Sequence, residues 1–259
     1  MAAFGALLAA IICAGLDGTA DSWLDVILSM IVVVMFTGAG NSLNDYFDRE
    51  IDKTAHPERP LPKGLVTPRQ VLTFAVVLFV FAQIVSAFVS VWSFGIVAAS
   101  IAVMVAYEKL LKAQGLLGNM SIGWLTGALF LFGGAAVDKM ELAWILALLA
   151  FLATIGREII KDVQDIEGDR GSRNTFPMRV GVKKAGALAS AAFIGAVALS
   201  PLPYLWDMLS EWYVPAVAVA DGIFIYCALI HFGNPERGQK IAKLAMFVAL
   251  MAFLLGGVL

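Results

Sequence analysis

The sequence is poor in charged residues, cysteine and histidine. Charged residues make up 15% of the 259 residues and hydrophobic residues 60%, against about 25% and about 45 to 50% in soluble domains. A net charge of −2 provides no basic field for a nucleic acid, so no nucleic-acid partner is expected. Cys13 and Cys227 lie alone in apolar stretches, which excludes a disulfide scaffold and predicts buried thiols. With only two histidines, the sequence contains no zinc or haem motif.

Long apolar runs dominate the chain instead. A hydrocarbon layer about 30 Å thick needs about 20 residues of helix to cross it. Nine runs come near this length, and the first, fourth and seventh of them are short: they lie near residues 2–16, 23–43, 70–90, 92–107, 117–137, 141–160, 184–200, 213–231 and 241–258. The first run is the shortest, so we expect its helix to begin upstream of Met1. The predicted fold is an all-α, polytopic membrane bundle of nine transmembrane helices that forms one domain over residues 1–259.

Basic residues are confined to one side of this predicted bundle. If residue 1 is inside, every one of the 18 lysines and arginines except Lys139 falls in an inner segment. The outer loops carry acidic residues instead: Asp17, Asp21, Asp138, Glu141, Asp207 and Glu211. Because inner loops retain positive charge, the sequence predicts a multi-pass protein of the cell membrane whose N-terminus and long loops are cytoplasmic.

Two inner segments repeat one acidic pattern. The first reads NSLNDYFDREID from Asn41, and the second reads REIIKDVQDIEGD from Arg157. Their aspartates correspond at a shift of 117 positions, as Asp45 and Asp162, Asp48 and Asp165, and Asp52 and Asp169. A proline and a glycine downstream recur at the same shift. The repeat predicts two related halves, at about 1–115 and 116–259.

The DxxDxxxD spacing places the three aspartates of each segment on one face of a helix. Asn41 and Asn44 lie on the same face in the first segment. Crowded carboxylates repel one another unless a cation lies between them, and Mg²⁺ prefers such oxygen ligands and bridges to substrate phosphates. The alternative is that these aspartates only solvate helix ends, but the duplication favours a pair of magnesium sites.

A pair of metal sites at one membrane face suits a diphosphate attached to a long hydrocarbon. Bound Mg²⁺ makes a diphosphate a good leaving group. Four basic residues of the same face are candidate phosphate ligands, although each could equally be an ordinary inner-face charge: Arg59, Lys112, Arg157 and Lys161. A secondary transporter is the distant alternative, but its ion site is expected near the bilayer centre.

Three further polar residues are open to two interpretations. Tyr107 either lines the substrate cavity or is an interfacial tyrosine. Asp221 lies within a predicted span, where a carboxylate must face protein or water. We expect it either to bind substrate or to stabilise packing. Asn119 opens the fifth span and is either an N-cap or a cavity residue.

These motifs resemble the UbiA family of intramembrane prenyltransferases over essentially the whole chain. The family has nine transmembrane helices, with aspartate-rich motifs at the ends of the second and sixth. The resemblance implies an enzyme that transfers a prenyl group from a prenyl diphosphate and uses Mg²⁺. The implied metal ligands are Asn44, Asp48, Asp52, Asp162, Asp165 and Asp169, with Asp45 and Asn41 as helpers. The implied catalytic residues are Asp48, Asp52, Asp165 and Asp169.

Within the family, four stretches of the chain resemble archaeal members: REIIKDVQDIEGD, SPLPYL, FGGAAV and FGNP. Those members transfer a geranylgeranyl group to the free hydroxyl of geranylgeranylglyceryl phosphate and so form the second ether bond of membrane lipids. Arg49 follows Asp48 directly, as in relatives that prenylate aromatic carboxylic acids, where it helps to hold the acceptor. An aromatic, 4-hydroxybenzoate-type polyprenyltransferase of quinone biosynthesis is therefore the alternative. The implied partners are the two substrates and membrane lipid, with no obligate protein partner.

Overall fold

A computed structural model describes residues 2–169 and 174–259, which form helices joined by turns and loops. The α-helices are α1 (Ala2–Asp21), α2 (Trp23–Ala55), α3 (Pro68–Val89), α4 (Val91–Lys109), α5 (Leu116–Ala136), α6 (Met140–Gln164), α7 (Ile166–Asp169), α8 (Phe176–Val180), α9 (Val182–Leu199), α10 (Leu202–Leu205), α11 (Tyr213–Ile230) and α12 (Pro235–Val258). A 3₁₀ turn (Leu111–Ala113) connects α4 to α5.

Nine segments of the described chain are long and apolar enough to cross a membrane. Helices α1 to α6 are the first six of these segments. The seventh consists of α9 together with α10, the eighth is α11, and the ninth is α12. Large hydrophobic side chains such as Phe88, Val91 and Leu229 are exposed on the outside of the bundle, as expected for a surface in contact with lipid. The predicted all-α membrane bundle is confirmed.

Helix α2 is longer than its apolar run predicts. It continues from the expected end near residue 43 to Ala55, because the charged residues that follow also favour a helix. The Lys53 ammonium, for example, donates to the Glu50 carboxylate at 2.7 Å. Pro57, which cannot continue a helix, follows the C-cap residue His56. The first aspartate motif therefore lies on a rigid helical extension.

Helices α5 and α6 are the most buried spans and form the centre of the bundle. A Cβ atom on Gly127 would lie 2.7 Å from the Ala147 carbonyl oxygen, so the two backbones approach too closely for any side chain there. A Cβ atom on Gly123 would meet Phe151 at 2.9 Å. The GxxxG sequence formed by Gly123 and Gly127 thus packs inside the bundle. Cys13 and Cys227 are buried free thiols, as predicted.

Candidate active site

The first aspartate motif is bridged by an arginine from the loop that follows α2. The Arg59 guanidinium donates through Nη1 to Asp45 at 2.9 Å and to Asp52 at 2.8 Å. The Asp52 side chain is only 6% exposed. Charge-assisted hydrogen bonds of this kind are stronger than neutral ones, so Arg59 holds the loop against the acidic face of α2.

Asp48 binds a different cation. The Lys112 ammonium, from the 3₁₀ turn, lies 2.5 Å from the Asp48 carboxylate and 3.3 Å from that of Glu108 in α4. The Asn44 amide nitrogen donates to Asp48 at 3.1 Å and to both Glu108 oxygens at 3.1 Å. The motif on α2 is therefore joined to α4 and to the 3₁₀ turn by one polar cluster.

The second motif lies at the end of α6 and is held by α5. The Asn119 amide nitrogen donates to the Asp162 carboxylate at 3.0 Å. Asp165 caps α6, and its backbone N–H donates to the Lys161 carbonyl at 2.9 Å. The side chain of Asp169 lies outside the described part of the structure, so its predicted role as a ligand stays a prediction.

The two motifs lie on either side of the 3₁₀ turn. A Cβ atom on Gly118 would lie 2.8 Å from the Leu111 carbonyl oxygen, so the first turn of α5 packs directly on the turn that carries Lys112. Asn119, which binds the second motif, is the next residue. Arg179, which follows the second motif along the chain, donates to the carbonyl of Ala113 in the same 3₁₀ turn at 3.0 Å. Both acidic motifs therefore lie at the same end of the bundle.

Other predicted site residues have varied surroundings. Arg49 donates to the Tyr46 carbonyl at 2.9 Å, and its guanidinium lies 4.9 Å from the Tyr46 ring, so it folds back on its own helix. Arg157 pairs with Glu158, and its buried Nε has no hydrogen-bond partner among the described atoms. Lys161 is exposed in the last turn of α6, and Tyr107 lies in the last turns of α4, next to Glu108.

Asp221 lies away from both motifs. It accepts a hydrogen bond from the Ser200 hydroxyl at 2.7 Å, and Ser200 caps the end of α9 opposite the motifs. The Tyr213 hydroxyl donates to the Ser200 carbonyl, also at 2.7 Å. Asp221 lines an apolar cavity of about 290 Å³ between α5, α6, α9, α11 and α12. The structure does not bring this carboxylate to the aspartate motifs.

A second apolar cavity leads away from the first motif. It has a volume of about 200 Å³ and lies between α2, α4 and α5. Its wall includes Val33, Val97 and Leu129. Asn41, less than one turn before Asn44, lines the same cavity. The arrangement suits a hydrocarbon chain whose polar end lies at the motif.

The first motif has the ligand chemistry that Mg²⁺ prefers. Asn44, Asp48 and Asp52 supply carboxylate and amide oxygens from one helix face. Within the described ranges, no three acidic, histidine or thiol side chains already surround one metal position. Arg59 holds Asp45 and Asp52, and Lys112 holds Asp48, in ion pairs. The residues therefore fit the ion by type of ligand.

The sequence interpretation missed Glu108 and left Asn119 open. Glu108 lies four residues before Lys112, a spacing typical of helical ion pairs, so this contact could have been found. Asn119 proves to bind Asp162, whereas the N-cap position of α5 belongs to Gly115. A polar side chain buried within an apolar span was the available signal.

Comparisons with known proteins identify the family of the chain. The model of the UbiA prenyltransferase family matches residues 3–251. Digeranylgeranylglyceryl phosphate synthase of Methanosarcina mazei is 41% identical, with 90% of this chain and 83% of the relative covered. The synthase of that name from Methanococcoides burtonii is also 41% identical, with 99% and 95% covered.

Solved structures show the same fold. A structure of digeranylgeranylglyceryl phosphate synthase superposes with a TM-score of 0.92 and 32% identity, over 99% of this chain and 93% of that one. The apo structure of a UbiA homologue from Aeropyrum pernix has a TM-score of 0.75 at 19% identity, over 97% and 96%, which supports the fold alone. The chain therefore belongs to the UbiA prenyltransferase family, as its paired acidic motifs predicted.

Proposed function

We propose that the chain is a digeranylgeranylglyceryl phosphate synthase, which transfers a geranylgeranyl group from geranylgeranyl diphosphate to the free hydroxyl of geranylgeranylglyceryl phosphate. The observation that carries the proposal is the pair of acidic motifs on either side of one 3₁₀ turn, beside an apolar cavity that begins at Asn41. Relatives that carry this name and are 41% identical to the chain support the choice of acceptor.

Mg²⁺ is the proposed cofactor. Its proposed ligands are Asn44, Asp48 and Asp52 on one side and Asp162, Asp165 and Asp169 on the other, with Asp45 and Asn41 in support. When bound, Mg²⁺ neutralises the negative charge that develops on the departing diphosphate.

The basic residues of the site bind the diphosphate in this proposal. Arg59 and Lys112 are paired with aspartates and can turn to phosphate oxygens, where charge-assisted hydrogen bonds compensate for the exchange. Arg157, whose Nε has no hydrogen-bond partner in the described part of the chain, and Lys161 approach from the second motif.

Three further residues have proposed roles. Arg49 and Tyr107 lie at the motif end of the bundle and are proposed to contact the acceptor headgroup. Asp221 is proposed to shape the cavity at the opposite end of α9, through its hydrogen bond to Ser200.

The reaction exchanges one carbon–oxygen bond for another. The bond between C1 of the prenyl chain and the diphosphate oxygen breaks, and its electron pair leaves with the diphosphate. The acceptor hydroxyl oxygen attacks the resulting allylic, cation-like C1, and its proton passes to the diphosphate or to an aspartate. Apolar residues of the cavity, among them Val33 and Leu129, exclude the water that would otherwise capture C1.

We further propose a cytoplasmic active site in a chain of two related halves. All basic residues of the site lie at the same end of the bundle, and this end is inside by the positive-inside rule. The halves, about 1–115 and 116–259, each contribute one motif: the first on α2 and the second on α6. The repeat of the aspartates at a constant shift supports this division.

A comparison of acceptors tests the function. Purified protein in detergent receives Mg²⁺, geranylgeranyl diphosphate and either geranylgeranylglyceryl phosphate or 4-hydroxybenzoate, and mass spectrometry identifies the products. We expect a lipid product carrying two geranylgeranyl chains and an equal amount of diphosphate.

Two carboxylate variants provide the controls. Asp48→Asn should abolish turnover at near-normal expression, and Asp17→Asn, at an exposed position on α1, should be active. Prenylation of 4-hydroxybenzoate alone would establish the quinone alternative. Full activity of Asp48→Asn would contradict the metal assignment.

A further inference from the structure

Glu108 is an almost completely buried charge at the edge of the site. Its side chain is 4% exposed, and it lies in the last turns of α4, facing the first motif. A carboxylate removed from water is costly unless hydrogen bonds and an opposite charge compensate for it. Glu108 has both, from Asn44 and Lys112. Its partners are the residues to which the proposed function assigns metal and diphosphate binding.

The contact with Asn44 fixes the orientation of an amide. Ionised carboxylates only accept hydrogen bonds, so the side of Asn44 that faces Asp48 and Glu108 must be its NH₂ group. One N–H is directed to Asp48 and the other is shared by the two oxygens of Glu108. These contacts use the amide nitrogen, so the amide oxygen, which is the atom that a metal can bind, is not engaged by either carboxylate.

The contact with Lys112 gives this lysine a second anion. Lys112 is 15% exposed and bridges Asp48 at 2.5 Å and Glu108 at 3.3 Å. A metal ion bound to Asp48 would compete with Lys112 for this carboxylate. Glu108, four residues earlier on the chain, still holds the ammonium group at the site.

We propose that Glu108 is a positioning residue that orients the Asn44 amide oxygen for the metal ion and retains Lys112 for the diphosphate. This inference rests on the proposed function, because it assumes that both groups act on a metal-bound diphosphate. Glu108 itself touches neither substrate nor metal in this assignment. It acts through the two side chains that it holds.

Metal binding provides a test that is independent of the acceptor. The full chain in detergent is saturated with geranylgeranyl thiolodiphosphate, which cannot be cleaved, and titrated with Mn²⁺ while electron paramagnetic resonance measures the free ion. Loss of a residue that orients a metal ligand typically costs 10- to 100-fold in metal affinity. We therefore expect Glu108→Gln to weaken Mn²⁺ binding by about 10- to 100-fold. A wrong acceptor would leave this measurement unchanged.

A matched control comes from α12. Glu236 pairs with Lys240 at the same four-residue spacing, but both side chains are exposed, at 61% and 71%. Glu236→Gln removes an equal charge from an exposed ion pair of the same spacing. We expect this variant to bind Mn²⁺ as the unchanged chain does.

A double-mutant cycle distinguishes orientation from general support of the fold. Glu108→Gln should weaken Mn²⁺ binding strongly when Asn44 is present and by less than about twofold in an Asn44→Ala background, since coupled residues are not additive. If Glu108→Gln does not fold, Glu108→Asp replaces it under the same criterion. Unchanged Mn²⁺ binding, or an equal effect in both backgrounds, would overturn the proposal.

Discussion

Asn119 in α5 donates a 3.0 Å hydrogen bond to Asp162 in α6, 43 residues further along the chain. Both side chains lie at the end of the bundle that carries the aspartate motifs, where Asn119 is buried. An amide that donates to one carboxylate oxygen restricts the rotation of that carboxyl group. Asn119 thus holds the first aspartate of the second motif in one orientation.

Removal of this amide should slow prenyl transfer without unfolding the protein. Asn119→Ala removes this hydrogen bond to Asp162, and we expect turnover to fall by about 10- to 100-fold, the usual cost of losing a group that orients a metal ligand. Diphosphate release under saturating substrates measures the change. Ser121→Ala is the control, because Ser121 is also buried in α5 but donates to the Leu117 carbonyl of its own helix and not, among the described residues, to an aspartate motif. Equal turnover of the two variants would contradict the role of Asn119.

Arg59 should act mainly on binding of the prenyl diphosphate. Arg59→Gln removes the cation that bridges Asp45 and Asp52 and that we assign to phosphate oxygens. A hydrogen bond to a charged group contributes about 1.5 to 3 kcal/mol, so we expect the KM for geranylgeranyl diphosphate to rise by about tenfold or more. Steady-state kinetics with the donor varied checks this. Arg69→Gln, at an exposed position near the start of α3, should leave that KM unchanged.

The acidic faces were predictable because helical periodicity is local. The spacing of Asp45, Asp48 and Asp52 requires only that α2 continue past the membrane, and the sequence up to Pro57 supports that. Pairing between distant elements was not predictable in this way. The Asp48–Lys112 contact joins residues 64 positions apart and depends on where the 3₁₀ turn places the lysine.

Asp221 shows a second limit of prediction from the sequence alone. Its cost in hydrocarbon predicts a polar partner or an aqueous cavity, and both interpretations were open. Its partner, the Ser200 hydroxyl, becomes apparent only when α9 and α11 are packed together. The sequence also contains no signal that the loop after α2 folds back to place Arg59 on the motif. Long-range packing determines both contacts.

The cavity beside the first motif should determine the length of the donor chain. Val97 belongs to α4 and is buried in the wall of this cavity, which α2 and α5 complete. Val97→Phe adds volume where a long prenyl chain must lie, and overpacking of this kind costs about 1 to 3 kcal/mol. We expect kcat/KM for geranylgeranyl diphosphate to fall by about tenfold relative to that for farnesyl diphosphate.

A lipid-facing substitution controls for added bulk. Val219 in α11 is exposed, and Val219→Phe should leave the ratio of the two donors unchanged. Competition between the two diphosphates, followed by mass spectrometry of the products, gives the ratio directly. An unaltered preference in Val97→Phe would show that the chain lies elsewhere.

His231, at the end of α11, should make stability depend on pH. The residue is 3% exposed, its ring stacks on Phe232 with the ring centres 4.2 Å apart, and its Nε2 lies 2.8 Å from the Ser190 hydroxyl. Burial lowers the pKa of His231. The unfolded chain, with a histidine pKa of about 6.5, therefore binds a proton more readily than the folded chain.

The sign of this difference means that acid destabilises the fold. The contribution of His231 is complete above about pH 6.5 and is lost as the pH falls below that value towards the lowered pKa of the folded state. Thermal unfolding is measured in detergent from pH 7.5 down to pH 5, a range that extends about one unit above and somewhat more below the pKa of an ordinary histidine. We expect Tm to decrease as the pH falls. His231→Gln retains a polar group for Ser190 and does not titrate, so its Tm should decrease less over the same range. Parallel curves for the two proteins would mean that other groups cause the acid sensitivity, because only the histidine differs between them.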